Sequence, residues 1–133
     1  MTQKEKQLLL QDLCSRLPYS VECNVGEKTP YTLCRIEIDD KNGHLLDFIE
    51  TKNGLDMQVY LSEVKPYLFP MSSMTKEQRE EYHNLCSVGT DECGDIIYFD
   101  TYESIDYLNK SKFDYRYLIP MGLAIDASGL NIY

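Results

Sequence analysis

The sequence predicts an α+β domain: an antiparallel β-meander of four to five strands, with a small curled barrel as one option, an N-terminal helix and two to three further helices. Three observations carry this expectation. Thr2-Gln3-Lys4-Glu5 and Thr75-Lys76-Glu77-Gln78 both have capping-box spacing, in which a threonine hydroxyl and a side chain three residues on satisfy the first free amides of a helix. Between them, alternating stretches from Tyr31 to Leu61 are broken by Asp39-Asp40-Lys41-Asn42-Gly43 and Asn53-Gly54, residues that tolerate the positive φ of tight reversals. Finally, 133 residues with 43% hydrophobic and 26% charged content suit one domain, residues 1–133, able to bury about two thirds of its unfolded surface.

Each element follows from local signals. After Thr2, the residues Leu9, Leu10, Leu13, Cys14 and Leu17 recur at helical spacing, and Pro18 ends the helix. Ser20 to Val25 reads as a strand. From Tyr31 to Ile38 a second strand sets Tyr31, Leu33, Arg35 and Glu37 against Thr32, Cys34, Ile36 and Ile38, and the second set is expected to face inward. His44 to Glu50 and about Asp56 to Leu61 complete the meander, and Ser62 to Lys65 is expected to make one helical turn. Pro66 to Met74 reads as a rigid, partly buried connector, because proline fixes φ and restricts the residue before it. A surface helix with one narrow apolar side follows from Lys76 to about Cys86. Ile96 to Phe99 forms a short strand, and Asp100 and Thr101 cap a helix through about Lys110 with Ile105 and Leu108 inward. Asp114 caps a further turn limited by Pro120 and Gly122, and Ala127 to Tyr133 is expected to be a loosely held tail.

A formal charge of −9 and a pI near 4.6 disfavour nucleic acid as a default partner, since phosphate binding depends on clustered Lys and Arg. A basic protein surface is a better electrostatic match. From Asp91 to Asn109 the chain carries Asp91, Glu92, Asp95, Asp100, Glu103 and Asp106 with no Lys or Arg, which is read as a solvated face in preference to a polyanion mimic. Eleven Tyr and four Phe without Trp fit a packed shell or a recognition face. Five cysteines at irregular spacing imply no disulfide framework. With no leader and no membrane-length apolar run, the expectation is a reducing cytoplasm.

The candidate chemistry is sparse. His83 and Cys86 sit three apart on a predicted helix with Cys93 seven residues on, a weak candidate for zinc or for a thiol nucleophile. No fourth ligand stands at a diagnostic spacing, and no phosphate-cradling glycine loop is present, so no cofactor is assigned and catalysis is disfavoured. Aligning Gly43 with the invariant glycine of an EF-hand puts Ile38 at the first ligand position, which rules that reading out. Aromatic residues from Tyr98 to Tyr117, with Lys110, Lys112 and Arg116 among them, offer a single-strand nucleic-acid platform, though core and rim packing explains them better. The candidate binding residues are Tyr67, Phe69, Met71 and Met74 of the connector with Tyr115 and Arg116.

Leu61-Ser62-Glu63-Val64-Lys65-Pro66-Tyr67-Leu68, Pro70-Met71-Ser72-Ser73-Met74-Thr75, Asp106-Tyr107-Leu108-Asn109, Phe113-Asp114-Tyr115-Arg116 and the opening Lys6 to Tyr19 together resemble a group of small uncharacterised proteins of Bacteroides-type gut bacteria and their phages or prophages. The resemblance touches both ends and the middle, leaves out the meander and Ser87 to Asp95, and departs at Pro120. It implies a mobile-element context and a bacterial cytoplasm, with no established activity. The resulting expectation is a non-enzymatic accessory protein that binds a host protein, inhibition of host defence being one such role. A small metal-dependent or thiol enzyme at His83, Cys86 and Cys93 and a single-strand nucleic-acid binder are the alternatives.

Overall fold

A computed structural model describes residues 1–39, 43–50 and 53–133. Helix α1 (Gln3–Arg16) begins where the first capping box places it: Thr2 Oγ1 accepts from the Glu5 amide at 3.1 Å, and Glu5 Oε2 accepts from the Thr2 amide at 2.8 Å. Its inner stripe, Leu9 and Leu13, is fully buried against β1 (Glu22–Asn24), β2 (Tyr31–Asp39), β3 (Gly43–Glu50), β4 (Asp56–Tyr60) and β5 (Lys65–Pro70), together with Leu118, Leu123 and Ala124. The strands run antiparallel in the order β4-β3-β2-β1-β5. The α+β class is therefore present, and the sheet is open: β5 turns to the late segments β8 (Phe113–Asp114) and β9 (Ile125–Asp126), both parallel to it, instead of closing onto β4. The reversal expected at Asp40-Lys41-Asn42 lies outside the described residues. At the second reversal Gly54 has φ +67° and its amide reaches the Glu50 carbonyl at 2.9 Å.

The inward face of β2 differs from the alternation in the sequence. Tyr31 and Leu33 are buried while Cys34 is exposed, because the register with β3 shifts between Leu33 and Arg35. This β-bulge puts one extra residue into β2, so Leu33 opposite Phe48 and Ile36 opposite Leu46 lie on one face despite being three apart.

Pro66 to Met74 is not a plain connector. A 3₁₀ turn at Leu61–Glu63 replaces the helical turn expected at Ser62 to Lys65, residues Lys65–Pro70 form β5, and Met71–Ser73 make another 3₁₀ turn. Successive residues of a strand send their main-chain groups to opposite edges. Lys65, Tyr67 and Phe69 therefore serve one edge, where β1 pairs first and the Phe69 amide then meets the Lys112 carbonyl beside β8 at 2.8 Å. The Leu68 carbonyl serves the other edge and accepts from the Ala127 amide at 2.8 Å, after β9. Pro66 and Pro70 fall on the β9 edge, outside its two-residue pairing at Tyr67 and Leu68, so their missing N–H groups break no ladder bond.

The chain's end is held as well. The Tyr133 hydroxyl accepts from the Glu22 amide at 2.9 Å and donates to the Tyr67 carbonyl at 2.9 Å. Glu22 and Tyr67 are the pair next to Cys23–Pro66, so this phenol stands inside the β1–β5 ladder, and its ring packs on Phe69 with centroids 5.9 Å apart. The tail expected to be loose is thus pinned by a side chain. Asp114 heads no helix. Its carboxylate accepts from the Leu118 and Ile119 amides at 2.8 and 2.9 Å and organises turns between β8 and β9.

Candidate functional site

The residues singled out for binding hold parts of the fold together. Tyr67 is buried, with its hydroxyl accepting from Asn24 Nδ2 at 3.2 Å, and Phe69 packs between Phe113 and Tyr133. Met71 and Met74 are half-buried around the 3₁₀ turn that precedes α2 (Lys76–Leu85). Arg116 donates to Asp12 Oδ1 at 3.0 Å and to Ser15 Oγ at 3.2 Å, and its guanidinium lies 4.6 Å from the Tyr115 ring centre. The same Asp12 accepts from Arg16 Nε at 2.8 Å, and both residues are fully buried. Arg16 Nη2 donates onward to the Phe113 carbonyl at 2.7 Å, so this polar cluster ties α1 to the segment after β8. Lys112 is also turned inward, donating to the Tyr19 carbonyl at 2.7 Å, and burial together with the nearby Arg16 charge lowers its pKa. Of the three cations expected to serve a nucleic-acid platform, Lys112 and Arg116 thus have internal partners.

His83, Cys86 and Cys93 do not converge. His83 stacks on Tyr98 with ring centroids 3.7 Å apart and an interplanar angle of 6°, Cys86 caps the end of α2, and Cys93 is exposed in a reversal. Among the described residues no group of three or more His, Cys, Asp or Glu side chains is placed to hold a metal ion. A cavity of about 700 Å³ between the start of α1 and the β3–β4 end is lined by Lys6, His44, Tyr60 and Ser62, and no described carboxylate or thiol lines it. Among the described residues it therefore pairs no nucleophile with an orienting acid.

The unassigned feature is the region from Thr75 to Tyr102. Thr75 and Gln78 form the second predicted capping box, and α2 follows with no buried residue. Ser87–Thr90 then forms β6, which pairs with β7 (Ile96–Phe99) as a separate two-stranded hairpin. The reversal is built by Asp91, whose Oδ1 accepts from the Cys93 and Asp95 amides, both at 2.9 Å, with Gly94 at φ +85°. At its base, Tyr82 donates to Asp100 Oδ1 at 2.5 Å and Thr101 donates to the Leu85 carbonyl at 2.6 Å. Burial, with Asp100 beside it, pushes the Tyr82 hydroxyl pKa well up. Thr101 also caps α3 (Tyr102–Lys110), which packs beside α2.

This hairpin, with Tyr102 at the start of α3, leaves large apolar side chains exposed: Val88 is 65% exposed, Ile96 64%, Phe99 53% and Tyr102 90%. The short apolar run from Ile96 to Phe99 was legible as a strand in the sequence. Its partner β6 was not, because Ser87-Val88-Gly89-Thr90 has weak strand character, and exposure of the pair depends on where the helices pack. Among the described residues no helix is long and apolar enough to cross a membrane. Comparison of the chain with protein-family models, curated proteins and solved structures gives no match.

Proposed function

We propose that this chain is a non-enzymatic accessory protein of a phage or integrated element, and that it acts in the bacterial cytoplasm by binding a host protein. The observation that carries the reading is the β6–β7 hairpin, which leaves Val88, Ile96 and Phe99 in solvent, with Tyr102 exposed just beyond it, while contributing no buried residue to the core. Several large apolar side chains exposed on one short element mark contact surfaces. The mobile-element context is supported by the sequence resemblance, and a host-defence target is one role within it. The dispersal of His83, Cys86 and Cys93 favours binding over metal or thiol catalysis.

The test is capture of binding proteins from a lysate of a Bacteroides-type gut bacterium, with an equally acidic protein as control, followed by titration of the purified captured protein. A one-to-one complex that saturates supports the reading. Stoichiometric zinc in the purified chain, lost on Cys86→Ser or Cys93→Ser, overturns it.

A further inference from the structure

We infer that the β6–β7 hairpin and Tyr102 form the contact surface itself, and that the partner surface is cationic with an apolar centre. The inference rests on the protein-binding reading above and adds the site and the chemistry of the partner. A two-stranded hairpin is marginal in water unless something packs on it. Here the His83–Tyr98 stack ties the hairpin to α2 near its base. The register puts Val88, Tyr98, Thr90 and Ile96 on one face and Ser87, Phe99, Gly89 and Ile97 on the other. On the second face the Phe99 ring lies across Gly89, where an added Cβ would meet Phe99 Cε2 at 2.9 Å. Both faces therefore present apolar groups to solvent.

Charge selects the occupant. Residues 75–106 carry nine acidic and two basic side chains, a net of −7 within a chain whose total is −9. Asp91, Glu92 and Asp95 sit at the hairpin tip, and Asp100, Glu103 and Asp106 follow its base, so acidic side chains flank the exposed apolar groups at both ends of the hairpin. Two copies meeting at this surface would bring like charges together, which costs several kcal/mol when they are juxtaposed. A basic surface reverses that sign and gains rate from long-range attraction. An apolar centre within a charged rim is the usual anatomy of a specific interface.

The experiment immobilises the full chain and presents two probes from a Bacteroides-type lysate: the fraction retained on a cation exchanger and the fraction retained on an anion exchanger. The expected result is saturable capture from the cationic fraction at about 0.1 M salt that declines as screening shortens at higher salt. Val88→Ser/Ile96→Ser should weaken it about 30-fold, the scale of an interface hot spot. Glu92→Gln/Asp95→Asn/Glu103→Gln should flatten the salt dependence, and Ile49→Ser, at an exposed site on β3, should change neither. These side chains are exposed, and circular dichroism of each variant establishes that it folds. Capture equal from the anionic fraction, or unmoved by the hairpin variants, overturns the hairpin assignment while leaving protein binding standing. A concentration-dependent dimer in sedimentation that Val88→Ser/Ile96→Ser abolishes overturns the cationic partner in favour of a second copy. Capture from neither fraction overturns the protein-binding reading and this inference with it.

Discussion

Replacing Tyr133 by phenylalanine removes one oxygen atom and leaves the ring in place, so it isolates the hydroxyl that stands within the β1–β5 ladder. Two main-chain groups lose their partner: the Glu22 amide, whose acceptor lies at 2.9 Å, and the Tyr67 carbonyl, whose donor lies at 2.9 Å. Tyr67 is buried and Glu22 half-buried, so water replaces the lost bonds only in part. An unsatisfied enclosed polar group costs about 1–3 kcal/mol. For a domain of this size about 1 kcal/mol corresponds to roughly 3–5 °C in Tm, and Tyr133→Phe should lower Tm by about 5–10 °C at pH 7. Tyr133→Ala should lower it further, because it also removes the ring contact with Phe69 and the Lys112 ammonium 5.7 Å from the ring centre. The pH dependence adds a second reading. Burial of this hydroxyl, with Cys23 and Glu22 adjacent, raises its pKa, although the ring edge remains exposed. The folded state therefore favours the neutral phenol: its contribution is complete below about pH 10, the unfolded value, and is lost as pH rises through the folded value. The Tm gap between wild type and Tyr133→Phe should accordingly narrow above about pH 10. Differential scanning calorimetry from pH 7 to alkaline pH measures both quantities. A Tyr133→Phe variant within about 1 °C of wild type at pH 7 would refute the ladder role of the hydroxyl.

Three further outcomes are expected. Asp12→Ala strands the fully buried Arg16 guanidinium and deprives Arg116 of its carboxylate, which should reduce stability by about 3–5 kcal/mol in urea denaturation. Asp12→Leu/Arg16→Met, an apolar replacement of the pair, should recover most of that loss. Thr101→Ala removes the α3 cap and the bond to the Leu85 carbonyl, a loss of about 1–2 kcal/mol that hydrogen exchange should locate in the amides of residues 86–102, with those of β2 and β3 little changed. Maleimide labelling of native protein should modify exposed Cys93 and leave Cys23 untouched until denaturant is added, since Cys23 is fully enclosed and burial drives its thiol pKa well up.

Signals that act within four residues were legible in the sequence. Thr2 with Glu5 and Thr75 with Gln78 close their capping boxes as their spacing requires, and Thr101 caps α3. The meander was legible because its reversals and alternation are local too. The bulge at Cys34 was not: only the packing of Leu33 on Phe48 and Ile36 on Leu46 reveals that one residue of β2 is unpaired. Pro66 and Pro70 argued against a strand, yet a proline breaks a ladder only where its amide would have had a partner, and that depends on β9, some sixty residues later. Tyr67, Tyr115 and Arg116 were sensible candidates by residue type. Their partners Asn24, Asn109 and Asp12 are supplied by the tertiary fold. The acidic bias after Asp91 was legible from composition alone, while the exposure of Val88, Ile96 and Phe99 beside it required the structure of the β6–β7 hairpin.

The dependence of β5 on distant segments has a consequence for the chain as it leaves the ribosome. When Lys65–Pro70 has emerged, β1 is available to it, but β8 and β9 have not been made. At translation rates of about 5–20 residues per second, the residues up to Ile125 take roughly 3–11 s to follow. Throughout that interval a nascent strand rich in Tyr, Leu and Phe presents an unpaired edge, the kind of surface on which unfinished chains adhere to one another. Pro66 and Pro70 remove two amides from the edge that waits longest, the one reserved for β9. The same residues that disguise this strand in the sequence thus shield it from mispairing during synthesis, until the late segment arrives and Tyr133 locks the opposite edge.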